Sequence, residues 1–215
     1  MTEASLNHIV ALVPVRSLSG AKSRLGEPLD AEERADLILA LLRRAVEAAL
    51  AATRLAGVVV VSMDEDLLRQ ARAMGAASLL QETSGLNEGL TEARVASGAE
   101  ATAVMVLPAD LPGVSASAID RLAATAELAR RSAPGKPVVV LVPDHHGTGT
   151  NALLVAPADA IPFCFGEGSR AAHAAAAEVA GASYVELDGP LSFDLDTPED
   201  LLDADSRGLD HEAGR

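Results

Sequence analysis

Three short stretches hold the acids and cations that could do chemistry. FDLDTPEDL, residues 193–201, sets Asp194 and Asp196 two apart on an extended run, where period-two alternation points both carboxylates to one face. VLPADLPGVS, residues 106–115, ends an apolar run in a single acid, Asp110, held in a stiff turn between Pro108 and Pro112. RSLSGAKSRLGEP, residues 16–28, puts Arg16, Lys22 and Arg24, three of the chain's 17 Lys and Arg residues, within nine positions. Carboxylates fixed in stiff turns suit Mg2+, a hard ion that takes oxygen ligands and keeps several positions for water and phosphate. In a cationic loop rich in Ser, Gly and Ala, backbone amides and Lys22 can approach phosphate oxygens closely.

Each stretch also has a structural alternative. In the first, Thr197 as cap, Pro198 at the first helical position and Asp200 three after the cap make a complete helix start, so neither Asp194 nor Asp196 is needed for it. Asp194 is then the second metal carboxylate and Asp196 a second-rank candidate whose other role is to orient the turn; a purely structural pair is the alternative. For Asp110 the alternative is a helix cap, a role for which Ser115 is better placed ahead of residues 116–130. The cationic loop is otherwise a solvated basic surface; it matches neither GxxxxGK[ST] nor GxGxxG.

Two further segments read as an anion seat. HHGTGTNALLV, residues 145–155, is a Gly/Thr turn entering an apolar strand. FGEGSRAAH, residues 165–173, leads into an Ala-rich helix with Ser169 as its expected cap. Glycines, exposed amides and a helix amino end suit a phosphate or carboxylate, with Arg170 or Thr150 adding donors. His145, His146 and His173 have no zinc-motif spacing, so each is read as a satisfied or surface histidine without a catalytic role.

The elements that must position these loops are visible in the apolar pattern. Compact β-branched runs at 9–15, 57–62, 77–81, 103–108, 137–143 and 182–187 read as buried strands. Helical segments near 30–52, 64–74, 86–98 and 115–131 alternate with them; Asp30 with Glu33 opens the first and Gly75 closes the second. Strand and helix in alternation predict an α/β fold with a mostly parallel sheet covered on both faces, and ligands beyond the carboxyl ends of the strands. At 215 residues, 49% apolar and without an internal repeat, the chain is expected to form one domain, ordered over about residues 8–204 with a polar tail after about 205.

A formal charge of −14 disfavours nucleic acid and anionic membranes as partners. The single cysteine, Cys164, excludes an intramolecular disulfide and is expected to be a buried thiol in a reducing compartment. No apolar run approaches the roughly 20 residues that span a bilayer, and MTEASLN lacks the basic start of a secretory signal, so the expected location is the cytoplasm.

Taken together and in order, SLSGAKSRL, PADLP, GTGTN, FGEGSRAAH and FDLDTPEDL resemble the CofC family, guanylyltransferases of deazaflavin coenzyme F-420 biosynthesis, from about residue 9 to 202. The resemblance implies a single-domain nucleotidyltransferase fold, a Rossmann-like three-layer sandwich of the kind seen in molybdenum-cofactor guanylyltransferase. It implies transfer of GMP from GTP to a phosphorylated three-carbon acid: phosphoenolpyruvate first, with 2-phospho-L-lactate and 3-phospho-D-glycerate as the other acceptors. By motif, Asp110 and Asp194 would ligate magnesium, Lys22 would hold the triphosphate, and Thr150, Gly166 and Ser169 would bind the acceptor. Arg16 and Arg24 would face the nucleotide; family members often have Lys where Arg16 stands, so its geometry there differs. Asn87 in GLNEGL matches a recurrent Leu-Asn and would contact the nucleotide, its alternative being a helix-start side chain. Two other functions fit parts of the pattern: a sugar-nucleotide glycosyltransferase using Asp194 and Asp196 as its DxD element, and a non-catalytic nucleotide-sensing module. Neither accounts for the separate anion seat as well. A homodimer is compatible with the chain.

Overall fold

The computed structural model describes Leu6, residues 8–15 and residues 31–193. Among the described residues seven strands and five helices follow one another: β1 (Ile9–Pro14), α1 (Ala31–Ala51), β2 (Leu55–Ser62), α2 (Glu65–Ala73), β3 (Ala77–Leu80), α3 (Leu86–Ala96), β4 (Ala103–Val106), α4 (Ala116–Ser132), β5 (Val138–Pro143), β6 (Thr150–Ala156), α5 (Ser169–Val179) and β7 (Ser183–Glu186). They form a single sheet in the order β3-β2-β1-β4-β6-β5-β7. Every pairing is parallel except those of β6, which runs antiparallel to both β4 and β5.

Continuous apolar strands follow from burial on both faces. Ile9, Ala11 and Val13 of β1 join one core cluster while Val10 and Leu12 join the other, and β4, β5 and β6 divide in the same alternating way. The first cluster takes the apolar stripes of α1, α2 and α4; the second takes Leu90 and Ala93 of α3, Ala177 of α5, and Ile161 and Phe163 of the segment before α5. The result is the expected three-layer α/β/α sandwich.

Local chemistry sets the element ends. Asp64 caps α2 by accepting from the amides of Asp66 and Leu67, and Gly75, in the left-handed region at φ 96°, turns the chain out of it. Asp120 of α4 accepts from the Thr53 amide and hydroxyl and from the Arg54 amide, which ties the α1–β2 turn to the neighbouring helix. The expected start of α1 at Asp30 lies outside the described residues.

The order places a topological switch between β1 and β4. From β1 the chain winds outward through β2 and β3, then returns through α3 to place β4 on the other side of β1. The strand order thus reverses between β1 and β4, and in open α/β sheets ligands bind beyond the carboxyl ends of the strands at such a point. Only six residues join β5 to β6, far short of the dozen or so a parallel crossover needs, so β6 turns back as a hairpin. Its first residue, Thr150, thereby reaches the edge that carries the carboxyl ends of the parallel strands.

Candidate active site

Asp110 stands just beyond β4 at this edge. Leu107 extends the ladder by donating to the Leu12 carbonyl at 2.9 Å, and Pro108, which lacks an N–H, stops it. Asp110 is half-buried between buried Ala109 and Leu111. Ser115 caps α4, its hydroxyl accepting from the Ala118 amide at 3.2 Å, so the cap of that helix is Ser115 and not Asp110. Gly113 lies directly under the Pro190 carbonyl; a Cβ there would collide with that oxygen.

That contact brings in the segment leading to FDLD. Residues Pro190–Ser192 form one 3-10 turn, and buried Asn151 of β6 donates to the Leu191 carbonyl at 3.0 Å. Phe193 is buried, with its ring 5.4 Å from that of His145 in the β5–β6 turn. The residue immediately before Asp194 is thus anchored between the β4 loop and the hairpin. Asp194 and Asp196, like Arg16, Lys22, Arg24 and the polar tail, lie outside the described residues. Among the described residues no three His, Cys, Asp or Glu side chains gather as a metal cluster.

The acceptor residues named from sequence converge on one buried ring. Thr150 Oγ1 lies 3.1 Å from Nδ1 of His173, whose Nε2 accepts from the Cys164 amide at 2.9 Å. His173 is fully buried, and that burial pushes it down to about 4 despite a hydrogen bond with the Ser169 backbone. Gly166 carries φ 128°, a conformation L side chains rarely adopt, and its carbonyl accepts from the Ser169 amide at 3.1 Å. Thr150, Gly166 and Ser169 belong to one hydrogen-bonded unit.

Three sequence expectations are corrected here. Ser169 is not the helix cap: Gly168, left-handed at φ 69°, takes that position, and Ser169 is the buried first residue of α5. Arg170 serves the fold first: its Nε and Nη2 bind both Glu186 oxygens, at 2.9 and 2.6 Å, and its Nη1 the Gly147 carbonyl at 2.8 Å. The same pairing holds the Glu186 carboxylate below its usual range, and Tyr184 adds a hydroxyl donor to it. Arg170 instead straps the turn to α5, helped by its amide, which donates to the Thr148 carbonyl. Cys164 is half-buried rather than buried, and its amide is the group that matters.

Asn87 sits in the first turn of α3 with its carboxamide on the backbone of Phe165. The loop before it is tightly held: Gln81 donates to the Thr83 and Gly85 carbonyls, and Glu92 accepts from the Glu82 and Thr83 amides and the Thr83 hydroxyl. Sequence reasoning read His173 as a satisfied or surface histidine without a catalytic role, and did not single out Asn151 or Gly113. Asn151 stood next to Thr150 in GTGTN and His173 closed the FGEGSRAAH motif, but their partners are 40 and 23 residues away.

A seven-stranded α/β sandwich, with Asp110 just after its central parallel strand and Thr150 on the same edge, has the fold of the nucleotidyltransferases. A nucleotidyl transferase from Methanothermobacter thermautotroptrophicus shares the fold at TM-score 0.66 and 19% identity, over 94% of this chain and 98% of that one. A putative nucleotide-diphospho-sugar transferase from Desulfovibrio desulfuricans does so at 0.71 and 15%, over 95% and 89%. The family model "Guanylyl transferase CofC like" matches residues 9–213, and the chain belongs to that family. Its relatives include the phosphoenolpyruvate guanylyltransferases of Rubrobacter xylanophilus, 45% identical over 93% of this chain and 95% of that protein, and of Sphaerobacter thermophilus, 43% identical over 89% and 90%. Among the described residues no helix is long and apolar enough to cross a membrane.

Proposed function

We propose that this guanylyltransferase transfers GMP from GTP to phosphoenolpyruvate, releasing pyrophosphate and forming enolpyruvoyl-2-diphospho-5'-guanosine for coenzyme F-420 biosynthesis. The observation that carries the acceptor class is the unit of Thr150, Gly166 and Ser169 around His173, which offers a hydroxyl and glycine-flanked amides to an anion. The names of the 45% and 43% identical relatives support phosphoenolpyruvate over the other three-carbon acids.

An oxygen of the acceptor phosphate attacks the α-phosphorus of GTP; the new P–O bond forms as the bond to the β-phosphate bridge breaks, and pyrophosphate carries away the electron pair. The acceptor phosphate is already ionised at neutral pH, so no protein nucleophile or base is required. The protein's task is to bring two anions together and in line. Thr150 and the chain amides between Gly166 and Gly168 orient the acceptor, while Lys22, Arg16 and Arg24 offset charge on the triphosphate. Asp110, half-buried just beyond β4, would hold Mg2+ through its carboxylate oxygens, with Asp194 and Asp196 as the further ligands. When bound, that ion supplies charge neutralisation between the phosphates.

Purified protein with Mg2+ and GTP is assayed for pyrophosphate release with phosphoenolpyruvate, 2-phospho-L-lactate or 3-phospho-D-glycerate in separate reactions. Release with phosphoenolpyruvate and none without acceptor is the expected result. Release with a different acid alone would reassign the acceptor.

A further inference from the structure

His173 is a buried ionisable group to which the transfer reaction gives no step. Its hydrogen-bond geometry nevertheless fixes where its proton sits. The Cys164 backbone amide can only donate, so the ring nitrogen that receives it, Nε2, carries no hydrogen. The neutral ring must then be protonated on Nδ1, which faces Thr150 Oγ1 at 3.1 Å. Were Thr150 the donor to Nδ1, the ring would hold no proton at all, a state far from neutral pH. That one Nδ1–H is shared between the Ser169 carbonyl and Thr150 Oγ1, so Thr150 can only accept from the ring, and its own hydroxyl hydrogen is left to be given elsewhere.

The same ring governs the rest of the seat. It hydrogen-bonds the Ser169 backbone, and the Cys164 amide it receives lies two residues before Gly166. Phe165 packs edge-on against it, ring centroids 4.9 Å apart. One side chain thus touches β6, the strap before α5 and the first turn of α5.

We propose that His173 is a positioning residue of the acceptor site: its Nδ1–H orients the Thr150 hydroxyl as a donor to an anionic oxygen of the phosphorylated acid, while its Nε2 pins the strap that carries Gly166. This rests on the reading of Thr150 as an acceptor-binding residue. A donor already turned towards an anion binds it better than one free to rotate, so the loss falls on acceptor binding and not on GTP.

The test is initial-rate kinetics of pyrophosphate release, with each substrate varied, for His173→Gln, Thr150→Val and the double variant. Gln can still accept from the Cys164 amide but lacks the Nδ1–H. The acceptor KM is expected to rise roughly tenfold or more in each single variant, as for a lost hydrogen bond to a charged group. The GTP KM should stay unchanged, and the double variant should be no worse than the poorer single, because both remove one donor. Additive losses, or equal losses in both KM values together with a lower melting temperature, would mean a merely structural role and overturn the proposal. A rise in Thr150→Val with none in His173→Gln overturns the role of His173 alone. Silence in Thr150→Val removes Thr150 from the acceptor site and the proposal with it. Should His173→Gln fail to fold, 15N NMR of the wild-type histidines decides: the Nδ1–H tautomer at pH 7 is expected for His173, and an Nε2–H ring or an imidazolium overturns the proposal.

Discussion

The carboxamide of Asn87 makes both possible hydrogen bonds to the backbone of Phe165, its Oδ1 accepting from the amide at 2.8 Å and its Nδ2 donating to the carbonyl at 3.0 Å. Two helical turns later, on the same face of α3, Arg94 donates to the Ile161 carbonyl at 3.0 Å and lies 4.7 Å over the Phe163 ring. The helix therefore grips the strap at two points, and the first grip adjoins Gly166. A side chain expected at the nucleotide is, in the structure, tied to the backbone of the segment before α5.

Asn87→Ala should lower stability by about 1–2 kcal/mol, as for two partly buried hydrogen bonds. That corresponds to a melting temperature roughly 2–8 °C lower for a chain of this size. In steady-state assays the acceptor KM should rise more than the GTP KM; the opposite order would return Asn87 to the nucleotide.

Asp110 and Ser115 are five residues apart, and their substitutions should separate activity from stability. Asp110→Asn is expected to lower kcat/KM on the order of a hundredfold or more, with an unchanged melting temperature and a higher Mg2+ requirement. Ser115→Ala removes the cap of α4 and should cost about 1 kcal/mol of stability while leaving kcat intact. Chelation with EDTA should abolish turnover and added Mg2+ restore it; full activity in EDTA would remove the metal from the reaction.

Gly113→Ala tests the contact that seats the segment before Asp194. A backbone carbonyl, unlike a side-chain end, cannot swing aside from the new methyl, so the substitution should destabilise by about 1–3 kcal/mol in urea titrations. Turnover should fall in the same variant, because the Pro190–Ser192 turn must shift. Wild-type stability would show that the two loops are not pressed together in solution.

Acid stability should carry the signature of His173. Its folded value, about 4, lies below the usual 6.5, so between those values the unfolded chain binds the extra proton. The contribution is complete above pH 6.5 and is lost as pH falls through that window, by at most about 1.4 kcal/mol per pH unit. The stability profile of His173→Asn should be flatter from pH 6.5 to 4 than that of the wild type, measured by denaturant midpoints.

Local patterns were sufficient for much of this fold. Ile9–Pro14 and Val138–Pro143 are apolar at every position, a composition that only strands covered on both faces require, and Ser115 announced its helix by hydrogen-bonding chemistry that reaches three residues. The order of the loops and the acids within them likewise carried the family and the edge of the sheet where chemistry belongs. Tertiary structure decided which groups meet. Insertion of β6 between β4 and β5 puts Thr150 at the carboxyl edge of the parallel strands, while the pairings of Asn87 with Phe165 and of Asn151 with Leu191 join residues 78 and 40 apart. Hydrophobic period and capping are local, readable within a turn of helix or a few residues of strand. The duty of a polar side chain depends on which backbone groups close packing leaves for it to satisfy, and that is set only once all three layers are assembled.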